Sequence, residues 1–164
     1  MIIKKILSLV TSIISFFIFT LFIITNSNSD EDNIKQYSGD EGILSLIYHR
    51  FNESKYPSTN IEMDVFKNQI DMIKISDYSF SDPNNFEKKF IIPKKNKEIL
   101  LTIDDAFQSF YTEAWPYLKK NKIPFILFVS TEPVGKRGYM TWNQIKEVES
   151  ETFALIGHHS HSHG

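Results

Sequence analysis

The sequence predicts an α/β fold, because short and nearly continuous apolar runs alternate with segments of helical period, as in β-α-β units around a parallel sheet or barrel. Four runs, at residues 43–48, 99–103, 125–130 and 153–157, have the length and character of strands buried on both faces. Between the first two, residues 61–75 set Phe66, Ile70 and Ile73 on one face and Lys67, Asn68 and Asp71 on another, which suits an amphipathic helix. Thr141-Trp142-Asn143-Gln144 has the form of a capping box. The Thr141 hydroxyl can accept from the Gln144 amide while the Gln144 side chain reaches back, opening a helix that runs to about Val148.

The remaining elements come in chain order. Residues 77–97 hold Asp82-Pro83, Pro93 and five lysines, and read as loop with one short hairpin. Pro116 suits the first turn of a helix to about Asn121, where a missing amide hydrogen removes no bond. Residues 122–124 then turn into the third strand.

Composition bounds the function. With 41% hydrophobic and 14% aromatic residues, the chain can bury a real core. A net charge of −2 leaves no basic surplus to neutralise a phosphate backbone, so no nucleic-acid partner is expected. The absence of cysteine removes disulfides, thiolate ligands and cysteine nucleophiles together.

Residues 1–25 are of another kind. Lys4 and Lys5 precede an uncharged run from Ile6 to Thr25, which as a helix spans roughly 30 Å, the thickness of a bilayer's hydrocarbon core. Asp30, Glu31 and Asp32 come after it, so the positive-inside rule places the bulk of the chain outside the cytoplasm. The expectation is a transmembrane signal-anchor. The alternative is a signal peptide cleaved near residues 25–29, which would release a secreted protein. Residues 26–42, rich in Asn, Ser, Asp and Gly, read as a linker, and the domain occupies residues 43–164.

Two clusters can carry chemistry. Asp104 and Asp105 sit just past the carboxyl end of an apolar strand, where active sites of parallel α/β folds gather, and paired carboxylates there can divide cation binding from proton transfer. A helix-capping pair is the other reading of the same residues. The run His158-His159-Ser160-His161-Ser162-His163 comes after the fourth strand, at the same end of the sheet. One helical turn would put His159 and His163 on one side, and an extended chain would align His159, His161 and His163. Either can clasp a metal, since imidazole is a common zinc ligand and two histidines with one carboxylate leave a position open for water.

These residues resemble the polysaccharide deacetylase family, carbohydrate esterase family 4 or NodB homology domain. Its Thr-Phe-Asp-Asp-Gly motif looks like Thr102-Ile103-Asp104-Asp105-Ala106, and its His-Ser/Thr-x-x-His motif looks like His159-Ser160-His161-Ser162-His163. Tyr111, Ala114, Pro116, Leu118, Ile123-Pro124, Phe128-Val129, Thr141-Trp142 and Gln144-Ile145 resemble the text between those motifs. Ile47-Tyr48-His49 resembles the family's first strand.

The resemblance implies a distorted (β/α) barrel, of which residues 43–164 would be an incomplete N-terminal portion. It also implies a hydrolase that removes N-acetyl groups from a polysaccharide. Asp105, His159 and His163 would be the metal ligands, Zn²⁺ the ion, and Asp104 the general base. The family's later arginine, aspartate, tryptophan and leucine-histidine motifs have no counterpart here, so the resemblance implies a fragment without its general acid, inactive alone. Ala106 stands where the family usually has glycine. Alternative functions are an O-acetyl polysaccharide esterase, which the same chemistry serves, and a membrane-tethered module that binds metal or glycan without turnover.

Overall fold

The computed structural model describes residues 42–85 and 97–162, all within the unit Ser38–Gly164. The expected membrane span, most of the linker, and His163 lie outside the described residues. No helix among the described residues is long and apolar enough to cross a membrane.

The elements in chain order are β1 (Ile43–Tyr48), β2 (Arg50–Phe51), β3 (Asn60–Ile61), α1 (Met63–Ile75), β4 (Ser79–Phe80), a 3₁₀ turn (Pro83–Asn85), β5 (Glu98–Asp104), a π-turn (Phe110–Ala114), α2 (Trp115–Asn121), β6 (Phe125–Val129), α3 (Trp142–Glu149) and β7 (Ala154–His158). The main sheet runs β1-β5-β6-β7 with every pair parallel, and β4 pairs β5. All four expected strands and the three expected helices are present.

Side chains explain the elements. In α1 the buried residues are Met63, Phe66, Ile70 and Ile73, the expected stripe extended by one turn. In α3 the capping box forms, with the Gln144 amide 3.3 Å from the Thr141 hydroxyl and the Thr141 amide 2.8 Å from the Gln144 side-chain oxygen. The π-turn has a cause in Pro116. Proline lacks an amide hydrogen, and the Trp115 amide before it bonds back to the Phe110 carbonyl, five residues away.

Two expectations differ in detail. In the expected loop of residues 77–97, residues 79–80 pair parallel with β5, Ser79 opposite Glu98, and residues 86–96 lie outside the described residues. Burial on both faces holds for β5 and β6, whereas β1 exposes Leu44 and Ile47 and β7 exposes Leu155. Position accounts for this, because β1 and β7 are the edges of the described sheet. The core lies around β5 and β6, where Phe51, Phe66, Phe110, Phe125, Leu101, Ile103, Leu118 and Leu127 are fully buried. The edge-to-face pairs Phe51–Phe66 and Phe110–Phe125 knit it together at centroid distances of 5.1 and 5.5 Å.

Register sets which residues can meet at the end of the sheet. Tyr48 pairs Ile103, Asp104 pairs Phe128, and Val129 pairs His158. The first residues beyond the strands therefore line one edge of the sheet: His49, Asp105, Ser130 and His159.

Candidate active site

β5 delivers Asp104 as its last residue, and the chain then turns through two left-handed residues, Asp105 at φ 70° and Ala106 at φ 53°. Such φ values are costly for residues with a Cβ, roughly 1–2 kcal/mol each, and persist only where the surroundings hold them. Here the hold is a second strip of backbone. The Met140 amide donates to the Ala106 carbonyl at 2.9 Å, the Gln108 amide to the Gly138 carbonyl at 2.9 Å, and Phe107 bridges Tyr139. The positive φ that glycine usually supplies is thus adopted by buried Ala106 itself.

β7 delivers His158 at its end and His159 beyond it. The His159 amide donates to the Val129 carbonyl at 3.0 Å, the Thr131 amide to the Ser160 carbonyl at 3.3 Å, and the Glu132 amide to the His161 carbonyl at 2.9 Å, so the segment after β6 carries the histidine loop. Ser160, at φ 63°, makes the bend.

These turns bring four side chains together. His159 Nε2 lies 3.6 Å from Asp105 Oδ1 and 3.9 Å from Asp104 Oδ2, and His49 Nε2 lies 3.9 Å from the same Asp104 oxygen. The carboxylates are mostly enclosed, at 15% and 12% side-chain exposure, while both imidazoles are about twice as open. The Ser130 hydroxyl, buried beneath, lies 3.2 Å from Asp105 Oδ1 and 3.1 Å from the His159 carbonyl. Beside the cluster, the Arg50 guanidinium is held 3.4 Å over the Phe107 ring and 4.0 Å from the Tyr56 ring, and its Nη1 donates to Glu53 at 2.9 Å. That stack pins the turn after Asp105 to β2.

Of the sequence-predicted residues, Asp104, Asp105 and His159 meet, and His163 lies outside the described residues. His161 is engaged elsewhere, its Nδ1 2.8 Å from the Thr131 hydroxyl, and His158 is exposed. Among the described residues no group of three such side chains forms a complete metal-holding set. The pair that is present fits a cation: two donors each about 2.1 Å from a tetrahedral zinc lie about 3.4 Å apart, close to the Asp105–His159 separation of 3.6 Å. Sequence reasoning missed two residues, His49 and Ser130, which it places only within strands. The signal was available, because both stand at the carboxyl ends of strands, the same rule that singled out Asp104.

Residues 92–164 match the family model described as polysaccharide deacetylase. The poly-beta-1,6-N-acetyl-D-glucosamine N-deacetylase of Staphylococcus aureus is 26% identical over 149 residues, covering 80% of this chain and 51% of that protein. The protein of the same name from Staphylococcus epidermidis is 25% identical over 158 residues, covering 84% and 54%. Among solved structures, IcaB from Ammonifex degensii superposes with a TM-score of 0.66 at 33% identity, covering 73% of this chain and 53% of that one. The Streptococcus pyogenes deacetylase PplD, solved with acetate, gives 0.64 at 26%, covering 74% and 57%. The fold is similar to that of these solved deacetylases, and over residues 92–164 the chain is similar to part of a polysaccharide deacetylase domain. It spans about half the length of the curated relatives it matches.

Proposed function

We propose that the protein to which this chain belongs is a metal-dependent hydrolase that removes N-acetyl groups from a polysaccharide, with β-1,6-linked N-acetylglucosamine polymer as the substrate class. The observation that carries this reading is the approach of His159 Nε2 to Asp105 Oδ1 at 3.6 Å and to Asp104 Oδ2 at 3.9 Å, at the carboxyl end of a parallel sheet. The relatives' N-deacetylase names support the amide over an ester as the bond cleaved.

Asp105, His159 and His163 would hold a divalent ion, most simply Zn²⁺. When bound there, such an ion supplies Lewis acidity toward the acetyl carbonyl and lowers the pKa of water in the site. Asp104, beside those residues but not assigned to the ion, takes the proton from the attacking water. Its carboxylate is only slightly open to solvent, and its Oδ2 lies 3.9 Å from the imidazole Nε2 of both His49 and His159.

The uncharged run from Ile6 to Thr25, with lysines before it and acids after it, supports a single-pass anchor that leaves the domain outside the cytoplasm, where such a polymer is met.

The test is acetate release from β-1,6-linked N-acetylglucosamine oligomers by the complete protein, with zinc content measured in parallel. Release that disappears on Asp104→Ala and on His159→Ala supports the reading. A folded, zinc-loaded protein that releases acetate only from O-acetylated glycans makes it an esterase, and one that releases none from either makes it a binding module.

A further inference from the structure

We propose that Ser130 is a positioning residue that locks Asp105 and the histidine loop into one arrangement competent for a divalent cation. The inference rests on the functional reading above and adds to it a residue that makes no contact with substrate.

Asp105 comes after β5 and His159 after β7, and β6 lies between them in the sheet. Adjacent strands are about 4.8 Å apart, so the two side chains must lean toward each other over the end of β6 to come within 3.6 Å. Ser130 is the residue at that end. It is 1% exposed, and its hydroxyl lies 3.2 Å from Asp105 Oδ1 and 3.1 Å from the His159 carbonyl, touching both partners from below.

The chemistry suits a fixed scaffold. A hydroxyl has one proton, shared here between two acceptors, and a carboxylate oxygen has two lone pairs. Asp105 Oδ1 can therefore accept from Ser130 on one side and still face His159 Nε2, where a cation would sit, on the other. The histidine loop has its own support in the backbone bonds from residues 129–132, which do not involve the Ser130 side chain. The Asp105 carboxylate is tied to that same strip through the Ser130 hydroxyl. Removing the hydroxyl would leave the histidine loop in place and loosen the Asp105 side chain.

Ser130→Ala fits the buried space and deletes only the hydroxyl, and Ser130→Thr keeps it. In the complete protein, zinc affinity is measured by competition with a chromophoric chelator, the cobalt-substituted absorption spectrum is recorded, and metal-free melting is followed as the control for folding. The expected result is a roughly 10- to 100-fold weaker zinc affinity in Ser130→Ala, the range typical of lost outer contacts to metal ligands, with an altered cobalt spectrum and recovery in Ser130→Thr.

A folded Ser130→Ala protein that binds zinc as tightly as the parent overturns the proposal. So does a folded Ser130→Thr protein that is as weak as Ser130→Ala, since its hydroxyl is retained. Both outcomes leave the functional reading standing if Asp105→Ala abolishes the parent's zinc binding. A parent that binds no zinc overturns the metal reading and this proposal together.

Discussion

Asp105 and His159 face each other across 3.6 Å although they leave strands that are not neighbours, with β6 between them. That approach makes the end of the sheet a centre rather than a row of loops, and separates ligand from base in a testable way.

Asp104→Asn should retain zinc and lose acetate release by roughly 10²- to 10⁴-fold in kcat, the range for loss of a general base. His159→Ala should lose both. Zinc content beside kcat distinguishes them, and equal zinc loss in both variants would assign Asp104 to the ion instead.

At Ala106 the backbone has φ 53° and the side chain is fully buried. Ala106→Gly relieves roughly 1–2 kcal/mol of left-handed cost but loses a buried methyl worth about 0.8 kcal/mol and adds freedom to the unfolded chain. Stability should stay within about 1 kcal/mol of the parent. Ala106→Val adds a β-branched side chain in the same conformation and should cost at least ~2 kcal/mol. Urea midpoints measure both, and a neutral valine would show that the turn is not held left-handed.

Gly157 is needed for space. A Cβ there would stand 2.6 Å from the Phe128 ring, whose centroid is 6.4 Å from that of His159. Gly157→Ala should cost about 1–3 kcal/mol by forcing the ring aside, and should weaken zinc binding through His159. Unchanged thermal unfolding would mean that Phe128 swings away freely.

Acid should loosen α3 from the π-turn and α2. The Tyr111 hydroxyl at 2.6 Å, with Lys119 and the Trp115 indole, holds the Glu147 carboxyl below the usual glutamate range. A lowered folded-state pKa gives stability that is present above the unfolded value of about 4.5 and is lost as pH falls through the folded one. Glu147→Gln should therefore flatten the stability profile below that pH and leave it parallel above. An identical acid limb in parent and variant would remove Glu147 from the acid response.

Much of the fold was legible in the chain. Each buried strand announced itself as a continuous apolar run, α1 by Phe66, Ile70 and Ile73, and α3 by its capping box, because these signals are local and the backbone answers them within a turn or two. The π-turn was not legible, since the reach of the Trp115 amide to Phe110 reflects how Phe110, Trp115 and Phe125 pack as well as Pro116. Nor was the parallel pairing of Ser79 and Phe80 with Glu98 and Ile99, since nothing local to residues 79–80 specifies a partner that distant in the chain.

For the site, sequence alone determined the chemistry on offer: two adjacent carboxylates and a histidine run, each placed at the carboxyl end of a strand by the apolar residues before it. Tertiary structure decided which of them meet. Strand order put β6 between β5 and β7, register ended the three strands within one residue of each other so that Asp105, Ser130 and His159 follow them, and the backbone turns left-handed at Asp105 and Ser160. Those are relations between segments far apart in the chain, set by packing and hydrogen bonding of the whole sheet, so no short stretch of sequence contains them.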